Sequence, residues 1–447
     1  MDRGVLPNFA RFHAQSQAYV TEPQERPPYL EPWIQWITVH TGLTYGEHQI
    51  YNLGDGHKVD APAVWDVLSA AGIPVWVCGS MNAQYRKPLN GAILPDPWTT
   101  QFQPQPRELE AYFKFVQRNV QEYTNDNVPL TARDYLTFIS FLAQHGLSRS
   151  TVSAVARQLL EERTTGRGRW KRAMLLDRMQ LDIFKHYWRK LKPGFSTFFS
   201  NSTAHFQHMY WRNMEPGVFK VAPTEKEQLE YGDAIEQGYR GMDRMLGEMM
   251  DMCGDRATLV LATALSQQPC LLYEDQGGKV AHRPRDFAKL LRFAGVEDRF
   301  TISPVMAHYF HVHFDDDRAA AEAARKLRAL EAAGVRPMNV EYESGREFMC
   351  GCVIYHQLPQ DTQLRNTETG TVLPFLDIFY QIEGLKSGMH HPDGILWVRR
   401  PDRAHKVHSD KVPLENIAPM ILDMFGVERP TTMRAEPLNG FARLAAS

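Results

Sequence analysis

Among the seventeen histidines of this chain, six stand where imidazole chemistry is worth considering: His40, His48, His205, His208, His390 and His391. One carboxylate, Glu31, joins them. Three protein ligands plus a water suffice for a catalytic zinc ion. A combination of these groups is therefore a candidate for holding one divalent metal, zinc first, or none. Glu31 could instead take a proton from water as a general base. Each group also has a plain structural reading; His205, beside Phe206, fits a packed core residue.

A second candidate is a run of positive charge. From Ser148 to Lys192 there are twelve Lys and Arg against four acids, and Arg163-Thr-Thr-Gly-Arg-Gly-Arg-Trp-Lys-Arg172 concentrates it. Such a segment could meet an anionic ligand or serve as a solvated loop between helices. Aromatic interleaving is limited to Trp170, so nucleic acid is not the expected partner. Over the whole chain the charge is only −2, which implies no global attraction to acidic surfaces. The five cysteines are odd in number and scattered, against a disulfide scaffold and in keeping with a reducing, cytoplasmic setting. No apolar run reaches the ~20 residues that span a bilayer, and no signal-peptide core opens the chain.

The elements that must position these groups alternate. Asp60-Ala-Pro62 opens a helix through Leu68, and Ile73-Pro-Val-Trp-Val-Cys78 has the apolar, β-branched character of a buried strand. Thr224-Glu-Lys-Glu227 is a capping box that launches an amphipathic helix to about Cys253, and Thr258-Leu-Val-Leu-Ala-Thr263 follows as a strand. Tyr309–Phe314 predicts another strand, and Asp317 to Ala333 a helix ended by Gly334. Residues 105–200 read as helix after helix. With 447 residues and 43% hydrophobic content the chain can bury a large core. We expect an α/β protein: a doubly wound, mostly parallel sheet built from residues 1–104 and 201–447, with residues 105–200 as a helical, basic cap.

Several segments share a further pattern. Glu31 to Ile50 is a helix-compatible run ending in Thr41-Gly42, with His48 six positions later. Leu6-Pro-Asn-Phe-Ala-Arg-Phe12, Gln207-His208 with Trp211, Thr258–Thr263, Gly388-Met-His-His-Pro-Asp-Gly394 and Val412–Val427 with Pro430 accompany it. Together, over nearly the whole chain, they resemble the alkaline phosphatase superfamily, which includes sulfatases, nucleotide pyrophosphatase/phosphodiesterases and related phosphohydrolases. The resemblance implies two divalent cations, usually zinc, about 4 Å apart, and a Ser, Thr or Cys nucleophile. The nucleophile position is Pro32 here, and the expected ligand positions hold Ala204, Leu265 and Ser266. The strand that would carry the first Asp ligand does not precede Leu6, so the chain is either natively shortened or begins at an internal Met. His48 commonly has a structural place in this frame.

Of the usual ligand positions only His208 and His390 remain. The resemblance thus leaves a single-metal site using His208, His390 and a substitute from His205, His391 or Glu31. It leaves two readings of function. One is a phosphate, phosphodiester or sulfate ester hydrolase with altered metal ligation. The other is a catalytically silent relative whose pocket holds an anionic small molecule or a partner.

Overall fold

The computed structural model describes residues 1–99, 101–124, 130–304, 308–382, 384–438 and 441. At the N-terminal end the helix Pro7–His13 places Pro7 in its first turn, where a missing N–H costs nothing. Phe9 and Phe12 share a face and pack with Leu246 and Met250 of the long helix Ala234–Cys253. Asp243 of that helix accepts from the Asn8 amide and the Phe9 backbone at 3.0 and 2.8 Å.

Val75–Cys78 is the centre of a three-stranded parallel sheet, flanked by Gly91–Leu94 and Phe195–Phe198. Its four residues are all buried, as expected of a strand covered on both faces. Trp65, Leu68 and Leu422 lie with Val75 and Val77, while Tyr112, Leu181, Phe184 and Tyr187 lie with Trp76 and Cys78. The mixed α/β class therefore holds, and this sheet is its parallel part. Elsewhere pairing is largely antiparallel. Ser16–Glu22 pairs antiparallel with Gly394–Arg399, which pairs antiparallel with Leu259–Ala262. Met338–Glu341 and Glu347–Cys352 are joined by too short a connection for the crossover a parallel pair needs, so they form a hairpin. That hairpin extends through Tyr309–Phe314 to Phe300–Pro304.

Two expected helices are shorter than their patterns suggest. Thr224 and Glu227 make the reciprocal capping bonds, but the helix they launch stops at Tyr231, and a separate helix, Ala234–Cys253, begins after Gly232-Asp233. The Asp317 helix ends at Arg328; Leu330–Ala332 continues as a strand on Gln363–Asn366. Leu330 and Ala332 are buried with Glu331 exposed between them, a period-2 burial that tertiary pairing imposes over the strong helical propensity of Leu-Glu-Ala.

Residues 105–200 carry the helices Glu110–Thr124, Ala132–Gln144, Arg149–Thr165 and Arg172–Leu191. Much of the basic excess is paired. Lys171 and Arg172 reach Glu161 and Glu162 of the preceding helix, and Lys185 and Lys190 reach Glu248 and Glu108. All five cysteines are free and buried.

Candidate functional site

Glu31 sits at the N-cap of the helix Pro32–Thr41, yet its carboxylate makes no capping bond. Pro32, in the position expected of a nucleophile, occupies the first helical turn, where proline's fixed φ suits the helix start. The Glu31 carboxylate points instead to His390, whose Nδ1 lies 3.3 Å from Oε2. His390 belongs to the strand Gly388–His391, and its ring stands edge-on to that of His208 with centroids 4.9 Å apart.

His208 is oriented by the chain. It lies on the helix Ser202–Met214, and its Nδ1 donates to the Gly388 carbonyl at 3.0 Å, which leaves Nε2 with a free lone pair in the neutral ring. The close approach of helix and strand requires glycine at 388, where a Cβ would fall 2.2 Å from the Gln207 carbonyl oxygen. The same strand pairs antiparallel with Ser266–Pro269, and Gln267, opposite His390, donates to the Ala204 carbonyl at 3.1 Å. Its Oε1 is buried with no hydrogen bond among the described residues.

The end of the helix carrying His208 is anchored by a buried ion pair. Arg212 and Glu274, each with a side chain only 5% exposed, make two parallel bonds of 2.5 and 3.0 Å. Glu274 also accepts from the backbone of Lys220 and Val221. The Arg212 guanidinium lies 4.3 Å over the Phe219 ring. This pair ties the helix to the segment that leads into Lys279.

Lys279 and Lys386 are what the motif frame does not contain. They face each other across an antiparallel bridge, with the Lys386 amide donating to the Lys279 carbonyl at 2.9 Å. Residues opposed in this way project to the same side with Cβ atoms about 5 Å apart, and like charges so placed repel. Burial and then Lys386 lower the Lys279 pKa. Its ammonium lies 4.9 Å over the Tyr355 ring, and the Tyr355 hydroxyl bonds His308 Nε2 at 3.0 Å.

The charges of this cluster act on one another. Burial raises the Glu31 pKa to about 7, against the pull of Lys386 and Lys279. Burial, with Lys386 adding to it, pushes His390 down to about 3, and His208 is lowered well below its usual value for the same two reasons. Burial followed by the two lysines likewise takes His308 to about 3. Neutral imidazoles and a carboxylate poised near neutrality thus surround a pair of cations.

Of the remaining candidates His205, one turn before His208 on the same helix, is half-buried beside Phe206; burial lowers its pKa, and it adds to the lowering of His208. His391 follows His390 in the strand and so faces the other side; its Nδ1 accepts from the Asp393 amide at 3.1 Å. His40 is buried 4.6 Å from the Trp65 ring, and His48 accepts from the Ile50 amide at 3.0 Å, both structural placements.

Among the described residues no three His, Cys, Asp or Glu side chains form a group able to hold a metal ion. The expected zinc-binding set of His208 and His390 with His205, His391 or Glu31 is not such a group as it stands, although Glu31, His208 and His390 are neighbours. His391 faces away, the charges of Lys279 and Lys386 act on Glu31 and His390, and that of Lys386 acts on His208. Sequence reasoning passed over both lysines because neither belongs to a motif. The adjacency of Lys386 to the Gly388 strand was the only local signal.

No protein-family model matches this chain, and no curated protein does. Solved structures that match include human ectonucleotide pyrophosphatase/phosphodiesterase 5, at 8% identity and a TM-score of 0.41, covering 95% of this chain and 91% of that one. The murine protein in complex with AMP matches at 8% identity and a TM-score of 0.39, with the same coverage. Phosphonoacetate hydrolase from Sinorhizobium meliloti 1021, in complex with phosphonoformate, matches at 12% identity and a TM-score of 0.38, over 93% of this chain and 89% of that one. Values this low carry no inference about the chemistry of this chain, which rests on its own side chains.

Proposed function

We propose that this protein binds an anionic small molecule, a phosphate or sulfate ester, at the cluster of Glu31, His208, Lys279, Lys386 and His390, without a metal ion. One observation carries the reading: two half-buried lysines directly opposed across an antiparallel bridge. Such a pair is destabilising on its own and is relieved by an anion between the two ammonium groups. In this reading the lysines supply the positive field that metal ions supply in the superfamily the sequence resembles. The protonated form of Glu31 offers a hydrogen bond, and His208 and His390 stay neutral, so none of the three carries a charge that opposes the ligand's. The test is calorimetric titration with sulfate: the wild type binds, and Lys279→Met with Lys386→Met loses at least about tenfold in affinity. Equal affinity in the double variant would remove the basis of the proposal.

Hydrolysis is a second reading, and the near-neutral pKa of Glu31 favours it. As its carboxylate, Glu31 would take a proton from a water whose oxygen attacks the phosphorus or sulfur, while the ester oxygen leaves and is protonated. The lysines would stabilise the charge that develops on the transferred group. Turnover of an aryl phosphate, diester or sulfate that Glu31→Gln abolishes supports this reading; a wild type with no turnover on any of the three leaves binding alone.

A further inference from the structure

The helix Ala132–Gln144 carries two apolar faces, whereas Arg149–Thr165 buries Thr151 and Gln158 and leaves apolar residues in solvent. Phe138, Phe141 and Leu142 of the first are buried in an aromatic core. Tyr135, Leu136 and Ile139, spaced to form one stripe, stand in solvent instead, Leu136 at 69% exposure. On the second helix Val152, Leu159 and Leu160 recur at i, i+7 and i+8, Leu160 at 62% exposure. Single exposed apolar residues are ordinary, but two stripes on consecutive helices are not. Arg172 neighbours both helices: its guanidinium makes two bonds to Glu162, at 2.8 and 2.5 Å, and it lies near Tyr135.

Charge identifies what covers this face. The three carboxylates on the two helices are all engaged: Asp134 with Arg118, Glu161 with Lys171 and Glu162 with Arg172. Arg133, Arg149, Arg157 and Arg163 are exposed, and none has an ion-pair partner among the described residues. A second copy of the chain would set these arginines against their own equivalents. A partner carrying negative charge around an apolar interior matches both features, and an anionic lipid surface has that composition. The longer helix, at 17 residues, extends about 25 Å and can lie in the interfacial plane. No helix among the described residues is long and apolar enough to cross a membrane, so this association is peripheral.

We propose that these two helices dock the protein on anionic membrane surfaces. Tyr135, Leu136, Ile139, Val152, Leu159 and Leu160 enter the boundary between headgroups and acyl chains, and the four arginines rest on the headgroups. The test sediments the full chain with phosphatidylcholine vesicles, with and without phosphatidylserine. Binding is expected only with phosphatidylserine and weakens as salt rises. Leu136→Ser with Leu160→Ser, and separately Arg157→Glu with Arg163→Glu, each lower vesicle affinity by roughly tenfold or more while the melting temperature stays unchanged. Absence of binding at low salt, or binding that neither double variant weakens, overturns the proposal. So does light scattering without lipid that finds a dimer which Leu136→Ser with Leu160→Ser dissolves, since the face then belongs to a second copy. Retention of the protein by immobilised polyglutamate with no vesicle binding overturns it in favour of an acidic protein partner.

Discussion

Replacing Glu31 with Gln separates the electrostatic account of the site from a merely structural one. With its pKa at about 7, Glu31 passes from about one-tenth ionised at pH 6 to about nine-tenths at pH 8. An anion between Lys279 and Lys386 prefers the protonated carboxyl, so proton and anion bind cooperatively, each strengthening the other by the same factor. Affinity of the wild type for the anion therefore falls about tenfold between pH 6 and pH 8. Glu31→Gln is expected to match the wild type near pH 6 and to bind about tenfold more tightly near pH 8. Sulfate is the ligand of choice because, unlike phosphate, it keeps its charge across this range. Calorimetric titration at several pH values gives the two curves. The lowered pKa of Lys279 weakens binding at high pH in both proteins, and more in the variant, because the Glu31 charge partly offsets that lowering. Parallel curves, or wild-type affinity that rises with pH, would refute the reasoning. Stability moves with the same proton. The raised pKa means that the folded state binds it more tightly, so the wild type loses stability as pH climbs from about 4.5 towards 7, and the loss is complete above that. Glu31→Gln should melt higher than the wild type above about pH 7 and no higher below about pH 4.5. The side chain keeps 32% exposure, and solvent screening makes the difference a modest one.

Glu274→Ala should cost about 3–5 kcal/mol in urea unfolding by leaving Arg212 buried without its partner, whereas Arg212→Met with Glu274→Leu recovers most of that loss. Arg212 holds the Glu274 pKa down, so the contribution of the pair is present above the usual glutamate pKa and fades as pH falls through the lowered one; a loss from Glu274→Ala that does not shrink in acid contradicts this. Gly388→Ala should force the Ser202–Met214 helix away from the strand, with a stability cost of roughly 1–3 kcal/mol and weaker sulfate binding; unchanged values in both would show that the approach is not tight. Sulfate affinity should be indifferent to EDTA, and elemental analysis should find the same metal content before and after His208→Ala with His390→Ala. A drop in either measurement restores a metal to the site.

The α/β class, the capping box at Thr224, the buried strand at Val75–Cys78 and the helical character of residues 105–200 were legible because each depends on local periodicity or on a residue with one favoured conformational role. The sequence also marked Glu31, His208 and His390 through the segments that carry them, and these three do come together. What it could not express was partnership. Lys279 and Lys386 lie more than a hundred residues apart, and only the bridge between their segments turns two ordinary lysines into a pair of opposed cations. Adjacent His390 and His391 look equivalent in sequence, yet strand alternation directs one to Glu31 and the other to the backbone of Asp393. The strand at Leu330–Ala332 likewise depends on pairing with Gln363–Asn366, because Leu-Glu-Ala carries no β preference of its own. Local preference is written residue by residue along the chain; the charge, burial and hydrogen bonding that give a side chain its chemistry come from neighbours that only the folded backbone supplies.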